Sequence, residues 1–200
     1  LVFRDISEEY SMREKLRQSE KKYRAIFENT GTATIIVEKD GTISLANKKF
    51  AQLVSEPLDE IINNKTWMEY IPENSLDLMW EQHELRRKNR AEALREYEFH
   101  FVNNDGIKKQ VLITVDIIPG TDKSIASLLD ITERKKVEKA LKESEEQLRT
   151  LINATPDVIC FKDGDGKWLL ANESMQEIFS LQGIDYQGKS NNELAEHVDS

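Results

Sequence analysis

The sequence predicts an α+β protein in which a five-stranded antiparallel sheet carries helices on one face, with such units joined by long amphipathic (coiled-coil-type) helices. Three observations support this: a fixed internal repeat, apolar spacing that switches between heptad and alternating patterns, and Asp-Gly turns between the alternating stretches. A shift of 125 residues lays Asp5 to Ser55 on Asp130 to Ser180 without a gap, matching Leu16 to Leu141, Thr30 to Thr155, Gly41 to Gly166, Asn47 to Asn172 and Ser55 to Ser180. The repeat implies an array. Residues 1–7 are expected to be the terminal strand of an upstream unit, 8–28 a connecting helix, and 29–133 a complete unit. Residues 134–153 are expected to be a second connecting helix, and 154–200 the N-terminal part of a further unit.

The first helix is predicted from Met12, Leu16, Ser19, Tyr23 and Ile26, spaced 4, 3, 4, 3; Val137, Leu141, Ser144, Leu148 and Leu151 repeat the spacing in the second. These are a/d seams of about three heptads with charged flanks, which points to pairing of two such helices and hence a homodimer; packing of each helix on its own unit is the alternative. Asp5 and Asp130 stand three residues before Glu8 and Glu133, the arrangement of a helix N-terminus. Between the helices, Ala33 to Val37 and Thr42 to Leu45 flank Glu38-Lys39-Asp40-Gly41, a hairpin turn. Asn47 opens a short helix with Phe50, Leu53 and Val54 on one side; Pro57 breaks the chain before Leu58, Ile61 and Ile62. After Pro72, the residues Leu76, Met79, Trp80 and His83 form an amphipathic stripe. Three strands close the unit: Tyr97, Phe99 and Phe101 alternate, Asn103-Asn104-Asp105-Gly106 turns, Val111, Ile113 and Val115 alternate, and Ser124 to Leu129 follows Pro119-Gly120.

Composition excludes several classes. No apolar stretch approaches the ~18 residues of a membrane span, so no membrane contact is expected within this segment, which is expected to be cytoplasmic with any anchor of the parent protein lying upstream. The single cysteine, Cys160, rules out an internal disulfide framework and is expected to be a small buried hydrophobe in the next unit's first strand. A net charge of -9 opposes nucleic-acid binding. There is no nucleophile–base set and no Gly-rich phosphate loop, so no catalytic site is expected within these 200 residues. Asp163-Gly164-Asp165-Gly166-Lys167 begins like a calcium loop, but Trp168 replaces the required glycine; it is read as a hairpin turn, and no metal is expected.

The "KDGTISLAN" and "DGDGKWLLAN" hairpins, the "YEFHFVNNDG" turn, and "DIT" at Asp130-Ile131-Thr132 followed by a charged helix resemble PAS domains in a tandem sensory array, as in multi-PAS sensor histidine kinases. The resemblance covers nearly the whole chain. Asn47 and Asn172 match the family's asparagine at the start of the first helix, Asp105 and Gly106 its late hairpin, and Asp130 its junction acid. Members often carry Arg where His100 stands and an aromatic where Gln110 stands. The resemblance implies a sensory input module of a two-component system. It would couple ligand, redox or partner state to a downstream kinase or other output domain in the same chain, with Asp130, Ile131, Thr132 and Glu133 transferring the signal. The alternative is a ligand-free dimerisation and protein-interaction spacer.

For the site, the inward sheet face and overlying helices either enclose an apolar cavity or pack into a filled core; the residues concerned are Ile35, Trp67, Met79, Trp80, His83, Tyr97, Phe99, Phe101 and Ile113. Any cofactor is unknown from the sequence: none, or a small-molecule ligand. Haem is not expected, since His83 lies too far past Pro72; nor is flavin photochemistry, since no cysteine stands on the helix after the first hairpin. His83-Glu84-Leu85-Arg86 resembles the phosphoacceptor box of sensor histidine kinases, but Arg87-Lys88 replaces its Thr-Pro, so His83 is expected at the core or pocket edge.

Overall fold

A computed structural model describes residues 6–198, which divide into two compact units meeting between Lys135 and Lys136. The terminal strand expected at residues 1–7 falls largely outside the described residues; Ile6 and Ser7 are the first residues of a helix instead. That helix, α1 (Ile6–Glu28), is followed by β1 (Ala33–Val37), β2 (Ile43–Ala46), α2 (Lys48–Val54), α3 (Leu58–Ile61), a 3-10 turn (Trp67–Tyr70) and α4 (Glu73–Lys88). Strands β3 (Glu96–Val102), β4 (Lys108–Ile117) and β5 (Ser124–Asp130) complete the first unit, and α5 (Thr132–Asn153) begins there.

The five strands form one antiparallel sheet in the order β2-β1-β5-β4-β3. Register aligns the apolar members of each strand into rows: Ile35 pairs with Ala126 and Ala126 with Val115, while Tyr97 pairs with Ile113 and Ile113 with Leu128. Because side chains alternate with a period of two, these rows all point to one face. There they bury against Phe50 and Val54 of α2, Ile61 of α3, Tyr70, and Met79 of α4.

Turn chemistry agrees with the sequence. Gly41 (φ 93°) and Gly106 (φ 76°) take the left-handed conformation their hairpins need, with the Gly41 N–H donating to Glu38 O and the Gly106 N–H to Asn103 O. Helix α4 begins right after Pro72, carries Glu73 in its first turn and ends in Arg86, Arg87 and Lys88, which complements the helix dipole. The 3-10 turn was not foreseen. It is held by the Glu69 carboxylate, which accepts from the Thr66 N–H at 2.9 Å, and by the bridge between Thr42 and Thr66.

The second unit contains the rest of α5, a two-stranded sheet of β6 (Cys160–Lys162) and β7 (Trp168–Ala171), and helices α6 (Glu173–Ile178) and α7 (Asn191–Val198). Its core gathers Trp168, Ala171, Met175, Leu181 and Leu194. Asp163 to Lys167 is a hairpin turn, closed by the Asp163 N–H to Lys167 O. Cys160 is exposed, not buried: among the described residues β6 pairs with β7 alone.

Candidate functional site

Between the sheet and its helices the first unit holds a partly open cavity of about 50 Å³. Of the residues expected around such a space, Ile35, Trp67, Met79, His83, Tyr97, Phe99, Phe101 and Ile113 line it. Trp80 does not. On α4, residues 79, 83 and 86 share the inward face, while residue 80 is turned about 100° from residue 79. Trp80 therefore sits over the outside of His83 (ring centroids 5.1 Å) and Trp67 (6.2 Å), beside a shallow groove with Lys39 and Asp40. The lining also includes residues that the sequence reading passed over: Val37, Phe50, Tyr70, Ile71, Arg86, Val115, Ser124, Ala126 and Leu128. Arg86 was findable, since it continues the 79–83 stripe by three residues.

The two basic side chains of the lining, His83 and Arg86, both come from α4. His83 is buried, and its Nε2 lies 3.0 Å from Lys39 O in the first hairpin. This placement does not present the imidazole as a phosphoacceptor. Burial pushes its pKa below the ordinary histidine value, and the nearby Arg87 and Arg86 charges act in the same direction, against the Lys39 hydrogen bond and Glu84. Between that lowered folded pKa and the ordinary value near 6.5, the unfolded chain binds more protons, so stability falls as pH drops through this window, by up to about 1.4 kcal/mol per pH unit. The His83→Gln variant is expected to lose this part of the acid sensitivity in urea denaturation at pH 7 and pH 5, and an unchanged pH dependence would disprove the assignment.

Arg87 ties three segments together. It donates to Asp122 O, to His83 O at 2.8 Å and to the Ser124 hydroxyl at 3.2 Å, joining α4 to the β4–β5 turn and to the start of β5. Arg86 is more deeply buried, at 4% exposure; its Nη2 donates to Leu94 O at 2.7 Å, but its Nε has no acceptor among the described residues. Below the cavity the Tyr70 hydroxyl donates to the buried Glu56 carboxylate, which Lys65 also approaches at 3.6 Å.

The joint after the sheet is a polar knot. Asp130 accepts from the Thr132 N–H (3.0 Å) and the Thr132 hydroxyl and pairs with Lys109, while the Thr132 hydroxyl accepts from the Gln110 N–H and the Ile131 N–H donates to Gln110 O. Partial burial pushes the Asp130 carboxyl up, but the Thr132 hydrogen bonds and Lys109 outweigh it and hold it below the usual carboxylate range. The junction residue Ile131 and the first residue of α5, Thr132, are thus bonded to the same residue of β4, Gln110. Ile131 is buried, so it anchors the junction on the core side.

A matching joint at the other end of the unit went unforeseen in this role. Asn47, fully buried, accepts from the Thr34 and Phe50 N–H groups and donates to Phe27 O, the Thr30 hydroxyl and Thr32 O, fastening the end of α1 to β1 and α2. Asn172 repeats this in the second unit, accepting from Ile159 and Met175 and donating to Ile152 O and Asp157 O. The seam residues Met12, Leu16, Tyr23 and Ile26 of α1 and Val137, Leu141, Leu148 and Leu151 of α5 are all exposed, so neither helix buries that row on its own unit. Among the described residues no helix is long and apolar enough to cross a membrane.

Comparison with known proteins fits this arrangement. A family model described as the PAS fold matches residues 21–116 and 146–200, two segments that start one repeat length apart. The chain is 27% identical over 182 residues to sporulation kinase E of Bacillus subtilis (strain 168), covering 90% of this chain but only 24% of that protein, so it spans about a quarter of the kinase's length. Among solved structures, it is similar to the PAS domain of an HTR-like protein from Haloarcula marismortui, at 17% identity over 61% of this chain and 99% of that one, with a TM-score of 0.48. A domain of a sensory box sensor histidine kinase/response regulator from Geobacter sulfurreducens gives 21% identity over 57% of this chain and 96% of that one, with a TM-score of 0.47.

Proposed function

We propose, from the premise that this chain belongs to the PAS-fold family, that its first unit is a small-molecule sensor whose cavity state is passed through the Asp130 joint into α5 and on to an output domain of the same protein. The observation that carries the reading is the bonding of Ile131 and Thr132 to the single β4 residue Gln110, with Asp130 holding Thr132 and standing opposite Val111, whose side chain is fully buried. A change of packing around the cavity moves β4, and β4 holds both the end of β5 and the first turn of the helix. The similarity to sporulation kinase E supports a sensor histidine kinase as the parent protein. The exposed apolar rows of α1 and α5 support pairing of two copies along those helices, where small changes of register between paired helices give two states separated by only a few kcal/mol.

The test is Asp130→Ala. Loss of this cap is expected to weaken the start of α5 by about 1 kcal/mol while leaving the sheet folded. Hydrogen exchange should quicken in the first turn of α5 but not in β1 or β4, and the autophosphorylation rate of the full-length protein should change. A folded variant with unaltered output overturns the route through Asp130.

A further inference from the structure

We propose that the cavity of the first unit takes a small monocarboxylate, with Arg86 as its counter-charge. This rests on the reading of that cavity as a ligand site and names the class of ligand. A guanidinium stays protonated in proteins, and a buried charge is costly unless it is paired. Yet Arg86 is 4% exposed, its Nε has no acceptor, and the ion pairs formed near it engage Arg90 and Arg95 with Asp116 and Lys88 with Glu84. Among the described residues no carboxylate pairs with Arg86, and the groups it meets, Leu94 O and the Tyr97 hydroxyl, are neutral, so the site holds one positive charge without a counter-ion beside a mostly apolar space.

The surroundings narrow the chemistry further. Ser124, also on the lining, accepts from Arg87, which leaves its own hydroxyl hydrogen to give. The other orphaned donor, the Trp67 indole N–H, lies beside Gly41, 3.2 Å from where a side chain there would begin. Met79, Phe99 and Ile113 supply apolar wall suited to a short alkyl tail. A space of about 50 Å³ has room for roughly three to five non-hydrogen atoms. Acetate and propionate meet both the charge and the size. Phosphate and sulfate would bring more oxygens than this lining has donors.

The experiment uses the 200-residue chain. Sodium acetate, propionate and hexanoate are compared with sodium chloride at equal ionic strength and with 1-propanol, by thermal unfolding and ligand-detected saturation-transfer NMR. Acetate and propionate should raise the melting temperature of the first unit in a saturable way beyond chloride, and hexanoate should not. In Arg86→Met the propionate effect should weaken at least tenfold while the response to 1-propanol persists. A propionate response equal to that of chloride, or one undiminished in Arg86→Met, overturns the proposal. If Arg86→Met does not fold, Ala126→Val decides, since it keeps Arg86 and fills the cavity: loss of the propionate response sustains the proposal and its retention overturns it. If 1-propanol saturates but no carboxylate does, the anion assignment falls and the sensor reading stands; if no probe saturates, both fall.

Discussion

Asn47→Ala is expected to destabilise the first unit by about 2–4 kcal/mol, because one side chain caps a helix, completes a strand end and fastens the incoming linker helix. Loss of the α2 cap contributes about 1 kcal/mol. The Thr34 N–H, which donates to Asn47 at 2.9 Å inside a buried strand, would then lack an acceptor, at a cost of roughly 1–3 kcal/mol. The bonds to Phe27 O and Thr32 O go as well, so the effect should spread into the last turn of α1. Hydrogen-exchange mass spectrometry separates these consequences and avoids treating a two-unit chain as a single two-state system. Faster exchange is expected in peptides covering residues 24–36 and 47–54, with the second unit unchanged. Protection unaltered at Thr34 would show that the knot is not what holds these segments. Asn172→Ala should act in the same manner on the second unit, through Ile159 and the end of α5.

The sheet was legible in the sequence because its signals are local and repeated. Alternation of Tyr97, Phe99 and Phe101 against Val111, Ile113 and Val115, with Asp-Gly turns between, specifies the register directly, and the register specifies which face is buried. The site was legible where it coincided with that alternation or with helical spacing. Ile35, Phe99 and Ile113 follow from strand parity, and Met79 and His83 from helical spacing. Trp80 was misplaced since an i+4 neighbour of Leu76 looks inward on a wide stripe, whereas its actual position is settled by Trp67 and His83, which it covers from outside. Arg86 was passed over because a charged residue at the end of a helix reads as solvated; its burial depends on Leu94 O, eight residues away in a loop with no periodicity. Cys160 was assigned to a core from its counterpart Ile35, whose burial depends on pairing with β5, and β6 has no such neighbour among the described residues.

Phe101→Ala should be the most destabilising single truncation around the cavity, at about 3–5 kcal/mol, the usual cost of removing a well-packed aromatic ring from a core. Phe101 is 2% exposed and touches three other rings: it stacks on Tyr70 at 5.4 Å and meets Phe99 at 6.3 Å and Phe50 at 6.5 Å edge-on. It therefore joins β3, α2 and the 3-10 turn in one aromatic cluster, and part of the loss is the aromatic geometry itself, worth roughly 0.5–1.5 kcal/mol per pair. The removed ring borders the existing cavity, so the space left should merge with it and form a larger apolar void. Such voids stay dry and accept small aromatic guests. Benzene should accordingly raise the melting temperature of Phe101→Ala several degrees more than that of the parent chain, a comparison that thermal unfolding monitored through Trp67 and Trp80 can make. Destabilisation with no recovery by benzene would mean that the helices collapse into the gap. In that case the layer over the sheet is deformable at this point, and a change in cavity occupancy would be transmitted by movement of the helices more than by the strands.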